Sequence, residues 1–152
     1  MSEMLANHYF LNRNFLSAKS IYESILEKDT TNKSIKKKLT ICYITTGEID
    51  KALNLFLSQI KDDIDFVITT DIHSEDCPCP ELISQIENEE ILFKNENEKT
   101  TALGMLWLYC SLEKSIDFFK KVEVKNPDDK IIKEINSNLI NKLVTNKQNS
   151  IN

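Results

Sequence analysis

The stretch Tyr43-Ile-Thr-Thr-Gly-Glu-Ile-Asp-Lys-Ala-Leu-Asn-Leu-Phe56 carries most of the information about the fold. It predicts two helices joined by a tight turn. Gly47 can adopt the positive φ that ends one helix, and Glu48 or Asp50 can place an acid at the start of the next. Ala52 is small, so the two helices can approach closely there, and the aromatic residue four positions later shares its helix face.

The same pattern occurs earlier in the chain. Three residue pairs share one separation of 34 residues (52 − 18, for example): Tyr9 with Tyr43, Ala18 with Ala52, and Tyr22 with Phe56. Asn12-Arg13-Asn14 would form the first turn, since Asn tolerates the left-handed backbone nearly as well as Gly. This period is typical of tetratricopeptide repeats. The chain resembles that family, with repeat one at 1–32 and repeat two at 33–64.

Residues 96–127 resemble a third, degenerate repeat. Ser115 stands where the other two copies have their small Ala, Phe119 stands at the aromatic position, and Pro127 falls where the family often has Pro. The register is broken, because Ser115 follows Ala52 by 63 residues (115 − 52). The segment between the copies therefore cannot be a regular repeat.

The rest of the chain completes one predicted helical domain, residues 1–146. Residues 65–95 are expected to be a shortened or remodelled helical pair containing a Cys-Pro-Cys loop, in which Pro80 opens a helix from Glu81 to about Phe93. Residues 128–146 have apolar residues at helical spacing and predict a capping helix. Residues 147–152 are polar and predict a frayed tail.

Composition narrows the possible partners. The 152-residue chain has a net charge of −5 and one arginine, Arg13, which argues against binding nucleic acid. The basic run Lys36-Lys37-Lys38 is interpreted as a solvated helix face. No apolar run approaches the roughly 20 residues needed to span a bilayer, and no signal segment is visible. The sequence therefore predicts a cytoplasmic protein that binds neither nucleic acid nor membrane.

The segment from His73 to Glu81 contains the densest group of reactive side chains. Cys77, Cys79 and His73 are candidate zinc ligands, since thiolate and imidazole are preferred donors. The single residue between the cysteines is shorter than the usual gap, and no second cysteine pair follows. A reducible disulfide and a purely structural turn are the two alternatives. No cofactor is expected, and no catalytic motif is evident, so an enzyme is not predicted.

The resemblance implies an all-α fold of tandem antiparallel helix-turn-helix repeats, a short right-handed α-solenoid. Such arrays bind a peptide on a concave surface lined by the first helix of each repeat. The matching positions in this chain are Asn7, Phe10, Leu11, Lys37, Lys38, Ile41, Ile44 and Trp107. For the apolar members, packing against the next helix is an equal alternative.

The best-known groove of the family clamps a C-terminal carboxylate, and this chain departs from it. Glu3 stands where that clamp has a lysine, and Lys38 where it has an asparagine. An acidic or amphipathic peptide is therefore the expected partner of an adaptor or scaffold module. Two alternatives remain open: a metal- or thiol-dependent regulator that uses the cysteine loop, and an accessory subunit that stacks on a neighbour through its uncapped N-terminal repeat. The oligomeric state is left open.

Overall fold

The computed structural model describes residues 2–151, except for the side chain of Ile151. The predicted start of repeat one at Met1 and the last tail residue, Asn152, lie outside these residues. The predicted all-α class is confirmed: the described residues form eight helices and no strand. The helices are α1 (Glu3–Leu11), α2 (Phe15–Lys28), α3 (Lys33–Thr45), α4 (Ile49–Ile68), α5 (Cys79–Glu87), α6 (Glu96–Trp107), α7 (Leu112–Lys125) and α8 (Lys130–Ile151). None of these eight is both long enough and apolar enough to cross a membrane.

The chain divides into two compact units, Met1–Gln59 and Ile60–Asn152. In the first unit α1 packs against α2, and α2 packs against α3. In the second unit α5 packs against α6, α6 against α7, and α7 against α8. In each of these pairs the helices follow one another along the chain, as short connections favour.

The two turns of the first unit have the same geometry. Arg13 and Gly47 both have positive φ, 62° and 81°, at positions separated by the repeat period. The left-handed residue of the first turn is thus Arg13 itself, rather than one of the flanking asparagines. Asn14 has a different role, because its Oδ1 accepts a hydrogen bond from Ser17 N–H at 3.3 Å and caps α2.

The small and aromatic residues that the sequence pattern aligned in α2 and α4 are fully buried. Ala18 and Ala52 are each the fourth residue of their helix, and Tyr22 and Phe56 each the eighth; all four are 0% exposed. Small side chains at a helix crossing let the backbones approach, and the aromatic rings then fill the adjoining space. The pattern that indicated a repeat in the sequence therefore marks equivalent core positions in the structure.

In the third hairpin, formed by α6 and α7, the small and aromatic residues occupy the same positions along the second helix as they do in α2 and α4. Ser115 and Phe119 are the fourth and eighth residues of α7, and both are fully buried. Ser115 Oγ donates a hydrogen bond to the carbonyl oxygen of Gly104 at 2.6 Å. A Cβ atom on Gly104 would lie 3.0 Å from the Phe119 ring, which is tighter than an ordinary contact, so any larger residue there would require the ring to shift.

The irregular middle begins with a break inside α4. Asp63 leaves the helical conformation, with φ −161° and ψ 84°, and its carboxylate accepts a hydrogen bond from Phe66 N–H at 3.3 Å where the helix resumes.

Helix α5 runs over Cys79–Glu87 and is shorter than the predicted helix ending near Phe93. It ends early because the chain reverses at Glu89, which has a φ of 60°.

The last helix is longer than predicted. Asp129 caps α8 by accepting hydrogen bonds from two backbone N–H groups, and the helix continues to Ile151, beyond the expected end at residue 146. Two ion pairs join it to the end of α4: Lys61 with Glu134 at 2.8 Å, and Lys142 with Asp65 at 2.6 Å.

A further ion pair joins α2 to the turn that precedes α4, and it gives a pH-dependent prediction. Lys19 Nζ lies 2.6 Å from Glu48 Oε2, and this hydrogen bond holds the pKa of Glu48 below its ordinary value. The stabilisation is therefore present above the unfolded-state pKa of Glu48 and is lost as pH falls through the folded-state value. Lys19→Met should reduce the free energy of unfolding by about 0.5–1 kcal/mol at pH 7, as measured by urea denaturation.

The control for this pair is Lys28→Met, a charge removal at an exposed position of the same helix. The difference between the two variants should shrink as the pH falls below the ordinary pKa of a glutamate and disappear once the pH has passed the lower folded-state pKa of Glu48. Equal unfolding free energies for both variants at pH 7 would show that the Lys19–Glu48 ion pair does not stabilise the fold.

Candidate functional site

A polar contact joins α1 and α3 in the first unit. Asn7 Oδ1 accepts hydrogen bonds from Tyr22 Oη at 2.6 Å and from Lys38 Nζ at 3.0 Å. Burial, above all, raises the pKa of Tyr22, so its hydroxyl remains a proton donor at neutral pH. The sequence predicted Asn7 and Lys38 as two separate groove residues, and the structure joins them by a hydrogen bond.

Two exposed apolar side chains lie on the same stripe of α1 as Asn7. Met4 is 81% exposed and Leu11 is 56% exposed. Positions 4, 7 and 11 follow the spacing that places residues on one helix face. We call the group of Met4, Asn7, Leu11 and Lys38 the α1–α3 face. Met4 was not among the groove residues predicted from the sequence, although its position three residues before Asn7 places it on the same helix face.

The other predicted groove residues of the first unit are buried. Phe10 is 3% exposed, and its ring contacts the rings of Phe15 and Tyr22 at centroid distances of 5.5 and 6.3 Å. Ile41 and Ile44 are also buried, and so is Lys37, which contradicts the interpretation of Lys36-Lys37-Lys38 as a solvated helix face. Their burial favours the packing alternative, so the accessible members of the predicted set in this unit are Asn7, Leu11 and Lys38.

Trp107 lies in the second unit, at the end of α6, and is half-buried. Lys114 Nζ lies 4.2 Å from the centre of its ring, which is a cation–π contact. The indole Nε1 is buried and has no hydrogen-bond partner. Trp107 therefore contributes to packing in this unit, and its indole N–H group makes no hydrogen bond.

An open cavity of about 540 Å³ lies beside α2 and α3 in the first unit. Tyr43 and Glu23 line it, and Tyr43 Oη donates a hydrogen bond to Glu23 Oε2 at 2.7 Å. Burial and this carboxylate raise the pKa of Tyr43, so the phenol stays protonated at neutral pH. The cavity is therefore lined by the Glu23 carboxylate and the protonated Tyr43 phenol, and neither of these two groups is an activated nucleophile.

The cysteine loop contains the residues considered for a metal ion. Cys77 Sγ and Cys79 Sγ lie 2.7 Å apart, whereas His73 is exposed and its backbone N–H donates to Asp71 Oδ1 at 3.0 Å. Across residues 2–151, no three His, Cys, Asp or Glu side chains are grouped closely enough to hold a metal ion. The loop therefore brings together the two thiols.

Comparison with known proteins yields no relative. No protein-family model matches the sequence, and no curated protein and no solved structure is significantly similar to it.

Proposed function

We propose that this chain is a non-catalytic protein-interaction module of the tetratricopeptide type, which binds a peptide segment of a partner on the α1–α3 face. The observation that carries the proposal is the Asn7–Lys38 hydrogen bond of 3.0 Å between α1 and α3, with exposed Met4 and Leu11 beside it. A rigid polar centre flanked by exposed apolar side chains is the composition expected of a peptide-binding surface.

The repeat architecture is supported by the register of three hairpins. Ala18, Ala52 and Ser115 are each the fourth residue of the second helix of their hairpin, and each is fully buried. Turn residues Arg13 and Gly47 share a positive φ at the repeat separation. These equivalences favour tandem copies of one helical hairpin over unrelated helix pairs, and a short α-solenoid is the arrangement we propose for them.

The chemistry of the face indicates the kind of partner. The Lys38 ammonium supplies positive charge, and Met4 and Leu11 supply apolar area on either side of Asn7. Met adapts its shape to varied apolar partners. An acidic or amphipathic peptide matches both features, with its carboxylate near Lys38 and its apolar side chains on α1.

The proposal is tested with Leu11→Glu/Lys38→Glu, which places two negative charges on the face. The matched control, Leu16→Glu/Lys28→Glu, makes the same exchanges at exposed positions of α2. Tagged full-length chains are isolated from their native cells, and co-purified proteins are quantified by mass spectrometry. We expect the face variant to lose about tenfold or more of one specific partner, equal to about 1.4 kcal/mol, while the control retains it. Identical partner profiles would contradict the proposal.

A second candidate function is supported by exposed Met4 and Leu11 together with Leu16, which is 63% exposed. The chain would then be an accessory subunit whose N-terminal repeat stacks on a neighbouring protein. A stable assembly in native extract that dissociates in Leu16→Glu as well as in Leu11→Glu/Lys38→Glu would favour stacking over peptide binding, because Leu16 lies outside the α1–α3 face. Light scattering gives the mass of that assembly directly.

A further inference from the structure

The two thiols of the cysteine loop are unusually close. Cys77 Sγ and Cys79 Sγ are separated by 2.7 Å, compared with about 2.04 Å for the covalent bond of a disulfide. A movement of less than about 1 Å would therefore bring them to bonding distance. Both belong to the second unit, whereas the residues that form the α1–α3 face belong to the first.

Backbone constraints on both sides hold the pair in place. Pro78 lies between the cysteines with φ −82°, which its ring fixes, and it occupies the N-cap position of α5. Before the pair, Asp76 adopts a positive φ of 50°, and Cys77 N–H donates to the carbonyl oxygen of Ile72 at 3.1 Å. The proximity of the thiols is thus built into the turn.

The preceding loop is also ordered by its own hydrogen bonds. Asp71 Oδ1 accepts from the backbone N–H groups of His73 and Ser74 at 3.0 and 3.2 Å, and these bonds hold the pKa of Asp71 below its ordinary value. Glu75 Oε2 in turn accepts from Asp71 N–H at 2.9 Å. These hydrogen bonds order the segment that leads into Cys77.

The two cysteines differ in access. Cys79 is the first residue of α5 and is 0% exposed, whereas Cys77 is half-buried. The positive end of a helix dipole favours negative charge on a sulfur at that position. Cys77 is therefore the thiol that an external reagent can reach, and Cys79 is the thiol placed to react with it next.

The remaining cysteines have different surroundings. Burial raises the pKa of the Cys42 thiol to about 12, so Cys42 is an unreactive core residue. Burial also raises the pKa of Cys110, and the neighbouring Cys77 adds to this rise. Cys110 is exposed. Because it is near Cys77, the experiment must distinguish a Cys77–Cys110 disulfide from a Cys77–Cys79 disulfide.

We propose that Cys77 and Cys79 form a reversible disulfide by exchange with a low-molecular-weight disulfide, RSSR. The Cys77 thiolate attacks one sulfur of RSSR, forms a Cys77–SR mixed disulfide, and releases RS⁻, which takes up the proton that Cys77 lost. The Cys79 thiolate then attacks Cys77 Sγ. The Cys77–SR bond breaks, and the second RS⁻ takes up the proton from Cys79. Two protein thiols are oxidised to one disulfide, and RSSR is reduced to two RSH.

The test uses the full chain with Cys42→Ala and Cys110→Ser, so that only the pair remains. The protein is equilibrated in glutathione redox buffers, quenched with acid, alkylated and weighed by intact mass spectrometry. We expect the loss of both alkylatable thiols, a mass lower by two hydrogen atoms, and no lasting glutathione adduct. Adding Cys79→Ser should leave one stable glutathione adduct on Cys77, because the resolving thiol is gone.

The wild-type chain provides the second measurement, since it does not depend on the folding of any variant. Peptide mapping of the oxidised protein should identify Cys77 linked to Cys79. The proposal is overturned if both thiols remain alkylatable in glutathione disulfide alone, if glutathione stays on Cys77 while Cys79 is present, or if Cys77 is found linked to Cys110 instead.

Discussion

Phe119→Ala is expected to lower the free energy of unfolding by about 3–5 kcal/mol. The ring is fully buried in α7, and it lies against Gly104 so closely that a Cβ atom there would come within 3.0 Å. Its removal would leave a void between α6 and α7 that neither backbone can close, because Ser115 Oγ holds the Gly104 carbonyl oxygen at 2.6 Å. Urea denaturation followed by circular dichroism measures the loss.

The adjacent residue provides a matched control for this substitution. Phe118 is only half-buried, and its ring faces Lys121 Nζ at 5.1 Å. Phe118→Ala removes the same atoms with much less loss of packing, so we expect a decrease of about 1 kcal/mol or less. Similar losses for both variants would mean that Phe119 is not the packing centre of the α6–α7 hairpin.

The second large effect concerns the helix crossings of the first unit. Ala18→Leu and Ala52→Leu should each destabilise the protein by about 1–3 kcal/mol, because both positions are 0% exposed and the larger side chain would push the helices apart. The two losses should be similar, since each residue is the fourth of its helix and is fully buried. Thermal and urea unfolding of both variants tests this expectation.

The controls are Ser20→Leu on α2 and Asn54→Leu on α4, which make comparable enlargements at exposed positions. These variants should differ from the wild type by no more than about 0.5 kcal/mol. If enlarging Ala18 is harmless while enlarging Ala52 is severe, the two hairpins do not share one packing arrangement, and the repeat interpretation loses its main support.

The sequence predicted the helical class and the registers of the hairpins because these depend on residue size at helical spacing. Ala52 and Phe56 report where two helices approach, and the structure places both in the core. The left-handed turn residue Arg13 could not be predicted from its type, since arginine rarely adopts positive φ. The surrounding turn imposes it.

The site was predictable only in part. Helical spacing indicates which residues share a face, but it does not reveal how deeply that face is covered. Phe10, Ile41 and Ile44 therefore emerged as groove candidates and are in fact buried, whereas exposed Met4 was missed. Likewise, the Cys-Pro-Cys order showed that two thiols are neighbours in sequence, while the 2.7 Å separation depends on the conformation of Pro78 and the loop before it.

The most direct test of the central claim, that a partner peptide binds the α1–α3 face, is site-specific photocrosslinking in native cells. The photoreactive amino acid p-benzoylphenylalanine replaces Leu11 in one chain and exposed Leu16 in a second chain. We predict one dominant crosslinked protein from position 11, which becomes much weaker when Lys38→Glu is added and is absent from position 16. Equal products from both positions, or a position-11 product that Lys38→Glu leaves unchanged, would contradict the account.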